Sequence, residues 1–132
     1  MTDQETLKRA QNEGRLWIAL VNKTTAAGFA MATCLDGVAH LDELDVMPAY
    51  GRQGIGTHLV KAVIDWAVTG GHAMLTLVTF RHIPWNAPFY GRLGFEPCAD
   101  ALLGKEMRQL LAEERAAGIR IENRQVMIKR LP

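Results

Sequence analysis

From Gly51 to Thr57 the chain reads G-R-Q-G-I-G-T, and an amphipathic stretch follows at once. Leu59, Val60, Val63, Ile64 and Ala67 fall on one helical face, so the glycines open a helix, expected over Thr57–Thr69 and closed by Gly70-Gly71. The start of a helix carries unpaired backbone N–H groups and the positive end of the helix dipole, which together suit a phosphate. Two familiar phosphate motifs do not fit. A dinucleotide fingerprint needs a third glycine where Leu59 stands, and a P-loop needs Gly-Lys-Ser/Thr where the chain has Gly56-Thr57-His58. What remains is a G-x-x-G-x-G turn between a strand and a helix, whose plainer reading is a tight connection that needs glycine for its dihedral angles. Other chemistry is excluded by residue type. There is no serine to act as a nucleophile, and His58, His72 and His82 have no metal-ligand spacing with one another or with Cys34 and Cys98, so no metal is expected.

The elements that position this turn follow from periodicity. Asp3–Asn12 is polar and helix-friendly and ends at Glu13-Gly14. Leu16–Val21 is a short continuous apolar run, which predicts a strand covered on both faces. Ala26–Leu35 is a second strand hairpinned to the first, Asp36-Gly37 a turn, and Val38–Met47 a third strand. After the helix comes an apolar strand, Ala73–Phe80, expected parallel to the strand before the turn through a right-handed crossover. Asn86 is placed to cap a short helix, N-A-P-F-Y-G-R-L, stopped by Gly94. A short strand (Phe95–Ala99), a helix (Leu103–Ala117) and a last strand (Gln125–Leu131) complete the chain.

With 132 residues, 48% apolar and 22% charged, the sequence fits a single domain over 1–132 with a core of ordinary size. A formal net charge of +1 with mixed signs gives no nucleic-acid footprint. The polar start lacks the pattern of a signal peptide and no run reaches membrane-spanning length, so the cytoplasm is the expected location, with neither nucleic acid nor membrane as partner. Cys34 and Cys98 read as small buried hydrophobes. Trp17 and Trp66 read as packing residues, whereas Trp85 lies in the loop before Asn86.

The stretch V-M-P-A-Y-G-R-Q-G-I-G-T-H-L-V-K-A-V-I-D-W-A resembles the acyl-CoA-binding motif of the GNAT family of N-acetyltransferases, in which a strand ending V-x-P leads into Gln/Arg-x-x-Gly-x-Gly/Ala and a helix. About thirty residues on, N-A-P-F-Y-G-R-L-G-F is similar to that family's Asn…Tyr-x-x-x-Gly-Phe segment. The usual Gln/Arg position is Gly51 here, with Arg52 beside it, and the strand and helix with which family members normally begin are expected to be absent ahead of the segment that opens this chain.

The resemblance implies an α/β, acyl-CoA N-acyltransferase-like fold: a mixed, splayed sheet with helices on both faces. It implies acetyl transfer from acetyl-CoA to a primary amine, of a small molecule or a peptide, by direct attack. The phosphates would meet the N–H groups of Arg52, Gln53, Gly54, Ile55, Gly56 and Thr57. The pantetheine arm would pair with Leu44, Asp45 and Val46, and the Val46 amide would polarise the thioester carbonyl. Asn86 would bond the arm, and Tyr90 would protonate the leaving thiolate. The alternatives are a helix cap for Asn86 and a packed aromatic for Tyr90. The general base is sought on the third strand, where alternation puts His40 and Asp42 on one face and Leu41 and Glu43 on the other. Glu43 matches the usual residue type, His40 has the better unperturbed pKa, and all of them could instead be solvated or structural. A non-catalytic CoA- or acyl-CoA-binding sensor or subunit is the alternative function, and the Leu103–Ala117 helix is a candidate homodimer contact.

Overall fold

In this computed structural model, which describes residues 3–132, a polar helix α1 (Gln4–Asn12) comes first. The Asp3 carboxylate caps it by accepting the Thr6 N–H at 2.8 Å. Gly14 (φ +72°) then turns the chain into β1 (Leu16–Val21). Two hairpin turns follow, and each has two successive residues at positive φ, the geometry whose twist matches the flanking strands. Asn22 (+53°) and Lys23 (+65°) join β1 to β2 (Thr25–Leu35), and Asp36 (+53°) and Gly37 (+77°) join β2 to β3 (Val38–Val46). A single 3-10 turn (Pro48–Tyr50) and the glycine turn lead into α2 (Ile55–Thr69). Then come β4 (Met74–Phe80), α3 (Asn86–Arg92), β5 (Glu96–Pro97), α4 (Lys105–Ala116) and β6 (Arg124–Arg130).

The six strands form one sheet in the order β1-β2-β3-β4-β6-β5. β1/β2, β4/β6 and β5/β6 pair antiparallel. The chain divides into two compact units, one made of the residues up to Thr33 with Leu41–Gly71, the other of Cys34–His40 with His72–Pro132.

In the first unit the apolar face of α2 supplies buried Leu59, Val60, Val63 and Ala67. The small residues of β2 (Ala27, Ala30, Ala32, with Met31 between) and Leu41 are buried too. Each fully buried Val or Leu contributes roughly 1.5–3 kcal/mol. Arg15 ties the corner after α1 to β2: its guanidinium donates to the Ala32 carbonyl and to the Glu13 carboxylate. Gly28 lies where β2 passes closest to β3. A Cβ there would collide with the Asp45 carbonyl oxygen and lie 3.1 Å from the Val46 Cα.

In the second unit β4 pairs with β6 along its whole length, from Met74↔Arg130 to Phe80↔Arg124. Leu75, Leu77, Val126, Met127, Phe95 and Met107 form the core. Arg124 joins Glu114 through two parallel hydrogen bonds (2.9 and 3.0 Å) and lies 4.2 Å above the Phe80 ring.

Several expectations need correction. β1 is an edge strand, and Ile18 and Leu20 are 54% and 56% exposed rather than covered, because a short apolar run alone does not distinguish a central strand from an edge. Asn86 is the first residue of α3, not its cap; Trp85 holds the cap position, with no side-chain cap bond. Cys34 is exposed and Cys98 half-buried, both as free thiols. The helix after the glycine turn starts two residues earlier than expected, at Ile55, and β5 is only Glu96–Pro97.

Candidate active site

In the first unit, β3 ends with Glu43, Leu44 and Val46 half-buried and Asp45 exposed. Ala39, His40 and Leu41 of β3 are buried, whereas the residues that follow them on the strand are half-buried or exposed. Met47 still pairs with β2, its N–H meeting the Ala27 carbonyl at 2.8 Å. The 3-10 turn then satisfies Tyr50 and Gly51 through the carbonyls of Met47 and Pro48 (2.8 and 3.2 Å).

Beyond Gly51 the pattern changes. The next backbone donor with a partner is His58, whose N–H meets the Gly54 carbonyl at 3.0 Å. Among the described residues, no hydrogen bond joins the N–H groups of Arg52, Gln53, Gly54, Ile55, Gly56 or Thr57 to another part of the chain. The backbone achieves this by turning left-handed at Arg52 (φ +63°) and Gly54 (φ +81°). Glycine takes that conformation freely, whereas a side chain there costs about 1–2 kcal/mol. The first turn of α2 carries no acidic residue to oppose an anion at the helix start. Six consecutive donors on a dipole end are the arrangement a pyrophosphate needs, and the residues present fit such a group.

The second unit holds Asn86, Tyr90 and His40. Asn86 is half-buried, and its own N–H bonds the Ile83 carbonyl at 3.2 Å. Tyr90 packs edge-on against Phe89 (4.9 Å) and Phe95 (5.8 Å). Burial pushes its phenol up to about 12, opposed by the Arg124 charge, so the hydroxyl keeps its proton at neutral pH. Among the described residues the hydroxyl has no hydrogen-bond partner.

His40 is 2% exposed, with Nδ1 2.8 Å from the Thr76 hydroxyl. The same hydroxyl lies 3.4 Å from the Ala39 carbonyl. Burial, with the Arg124 charge, lowers the imidazole from 6.5 to about 4, so it is neutral at physiological pH. Trp85 is 69% exposed. Among the described residues no three His, Cys, Asp or Glu side chains converge as metal ligands.

Two residues escaped the sequence reading. Gly28 permits the close approach of β2 to the backbone of Asp45 and Val46. A lone glycine inside a strand pattern was its signal. Arg124, whose charge acts on both His40 and Tyr90, gave no local signal.

Comparison with known proteins bears on what this arrangement belongs to. Among solved structures, a GNAT-family acetyltransferase of Staphylococcus aureus superposes with a TM-score of 0.73 at 20% identity, covering 97% of this chain and 75% of that one. The ribosomal-protein-S18-alanine N-acetyltransferase of Escherichia coli gives 0.70 at 20% identity, covering 98% and 77%. The N-acetylglutamate synthase of Neisseria gonorrhoeae, solved with coenzyme A and N-acetyl-glutamate, gives 0.78 at 18% identity. That match covers all of this chain and 28% of the other. At such identities the likeness is one of fold, the mixed α/β fold of acyl-CoA N-acyltransferases. The profile of the acetyltransferase (GNAT) family matches residues 1–95, which contain the glycine turn, Asn86 and Tyr90. This chain therefore belongs to the GNAT acetyltransferase family.

Proposed function

We propose that the chain, working as one catalytic domain over residues 1–132, transfers an acetyl group from acetyl-CoA to a primary amine of a small molecule or peptide. The observation that carries this reading is the run of six unpaired N–H groups from Arg52 to Thr57 at the start of α2. They would hold the pyrophosphate, with the exposed Arg52 side chain adding positive charge in place of the polar residue that Gly51 lacks.

Leu44, Asp45 and Val46 would pair with the pantetheine arm, Asn86 would bond it, and the Val46 N–H would polarise the thioester carbonyl. The amine nitrogen attacks the carbonyl carbon, the carbon–sulfur bond breaks, and two protons must move. Tyr90 supplies one to the departing thiolate; its strongly held phenolic proton supports an acid rather than a base. The proton lost by the amine goes to Glu43, directly or through water. Burial, the Thr76 hydrogen bond and a pKa of about 4 favour an anchoring role for His40 over the base role.

Calorimetric titration with acetyl-CoA tests the first step. Binding at micromolar concentrations is expected, and no heat at tens of micromolar overturns the reading. A screen of amines for thiol release tests the second, and binding without turnover on any amine would leave a non-catalytic CoA-binding subunit.

A further inference from the structure

The opposite end of α2 carries a second constellation, independent of the glycine turn. An open groove of about 600 Å³ is lined by Gly14, Trp17, Asp65, Trp66, Thr69 and Gly70, all within the first unit. α2 has 15 residues, so at 1.5 Å per residue its two ends lie about 20 Å apart.

Three features of this groove favour a positive charge. Trp17 and Trp66 meet edge-to-face, with centroids 5.8 Å apart and planes at 72°, so two near-perpendicular indoles form its walls. Tryptophan is the aromatic side chain that attracts cations best. Asp65 is exposed and, among the described residues, its carboxylate has no hydrogen bond or ion pair. Thr69 and Gly70 are the last turn and cap of α2, the negative end of its dipole, and that turn holds no basic residue. Asp65 lies one turn before the end of α2, so a cation in the groove would meet both its carboxylate and the negative end of the helix. The space beside Gly14 is open, since a Cβ there would meet nothing within 4 Å.

We propose that this groove binds a small organic ammonium ion, stacked on the tryptophans and paired with Asp65. Negative charge and aromatic walls together select an alkylated cation over a hydrated metal ion, whose shell the indoles cannot replace. The site is separate from the proposed acyl-CoA contacts and does not depend on them.

Tetramethylammonium chloride is the probe, with sodium chloride at equal ionic strength as the control. The protein carries Trp85→Phe, so that only Trp17 and Trp66 report by fluorescence and by their indole N–H resonances in a proton–nitrogen spectrum. The expected result is a saturable change with tetramethylammonium only, weakened at least threefold by Asp65→Asn. Without ligand, Asp65→Asn is expected to melt at the same temperature as its parent or slightly above, which separates loss of binding from loss of fold. A response that is linear, or matched by sodium, or saturable but unaltered by Asp65→Asn, overturns the proposal.

Discussion

Asp36 and Glu106 exchange two hydrogen bonds across 70 residues of chain: the Glu106 N–H donates to Asp36 Oδ1 at 2.8 Å, and the Asp36 N–H donates to Glu106 Oε1 at 2.7 Å. Asp36 Oδ2 also accepts the Met107 N–H at 3.1 Å. This is the reciprocity of a capping box, except that the cap comes from the β2–β3 hairpin turn rather than from the residue preceding the helix. Gly104, at the cap position of α4, leaves room for it, since a Cβ there would collide with the Asp36 carboxylate.

Asp36→Ala should therefore destabilise the protein by about 1–2 kcal/mol, as loss of a cap does. Gly104→Ala should also destabilise it, and by less when Asp36 is already alanine, because the clash is then gone. Denaturant unfolding of the two single variants and the double variant measures this coupling, and strict additivity would contradict it.

His40 makes stability depend on pH. Its pKa falls from 6.5 in the unfolded chain to about 4 in the fold, so between those values the unfolded state binds more protons. The stabilisation is present above pH 6.5 and is lost as pH falls through 4, amounting to roughly 3 kcal/mol. Unfolding free energies measured from pH 7 to pH 4 should fall more steeply for the wild type than for His40→Gln. Parallel curves would show that His40 is not held neutral.

Tyr90 should titrate last. The chain has two tyrosines, Tyr50 and Tyr90, and burial raises Tyr90 to about 12. Phenolate absorbance should rise with a late component that Tyr90→Phe removes. The raised value also means that this group's contribution to stability is present below pH 10 and is lost as pH rises toward 12. If Tyr90 is the acid of the proposed transfer, the same variant should lower kcat by about 10²–10⁴-fold while leaving acetyl-CoA affinity within a fewfold.

Arg52→Gly separates conformation from charge. The left-handed backbone at Arg52 costs a side chain about 1–2 kcal/mol, partly offset by the greater unfolded-state freedom of glycine. Stability should hold or rise by about 0.5 kcal/mol. Acetyl-CoA binding should weaken and lose part of its salt dependence. Unchanged affinity in calorimetry would assign the phosphate contact to the backbone donors alone.

The parts of the fold governed by local pattern were legible in the sequence: the apolar face of α2, the Asp36-Gly37 turn, and the glycine run that leaves six donors unpaired. Relationships between distant residues were not. Nothing local to Asp36 says that its carboxylate caps a helix 70 residues later, and nothing near Arg124 says that its charge reaches His40 and Tyr90. Leu16–Val21 shows the same limit differently, because six apolar residues specify a strand but not how many neighbours it has. In the candidate site, the glycine turn at the start of α2 was readable from residue types. His40 has the better unperturbed pKa for a base, and only the burial and hydrogen bond that the fold imposes show why that value does not apply.

The position of β1 also bears on how the protein behaves in concentrated solution. The strand is six residues long, uncharged, at the rim of the sheet, and shows Ile18 and Leu20 to solvent. Natural edge strands usually discourage edge-to-edge growth with a lysine, a proline or a pronounced bulge. Here the one irregularity in pairing falls between Ala19 and Leu20. A lysine at position 18 would act as a gatekeeper, improving recovery from refolding at high concentration without touching the groups assigned to chemistry.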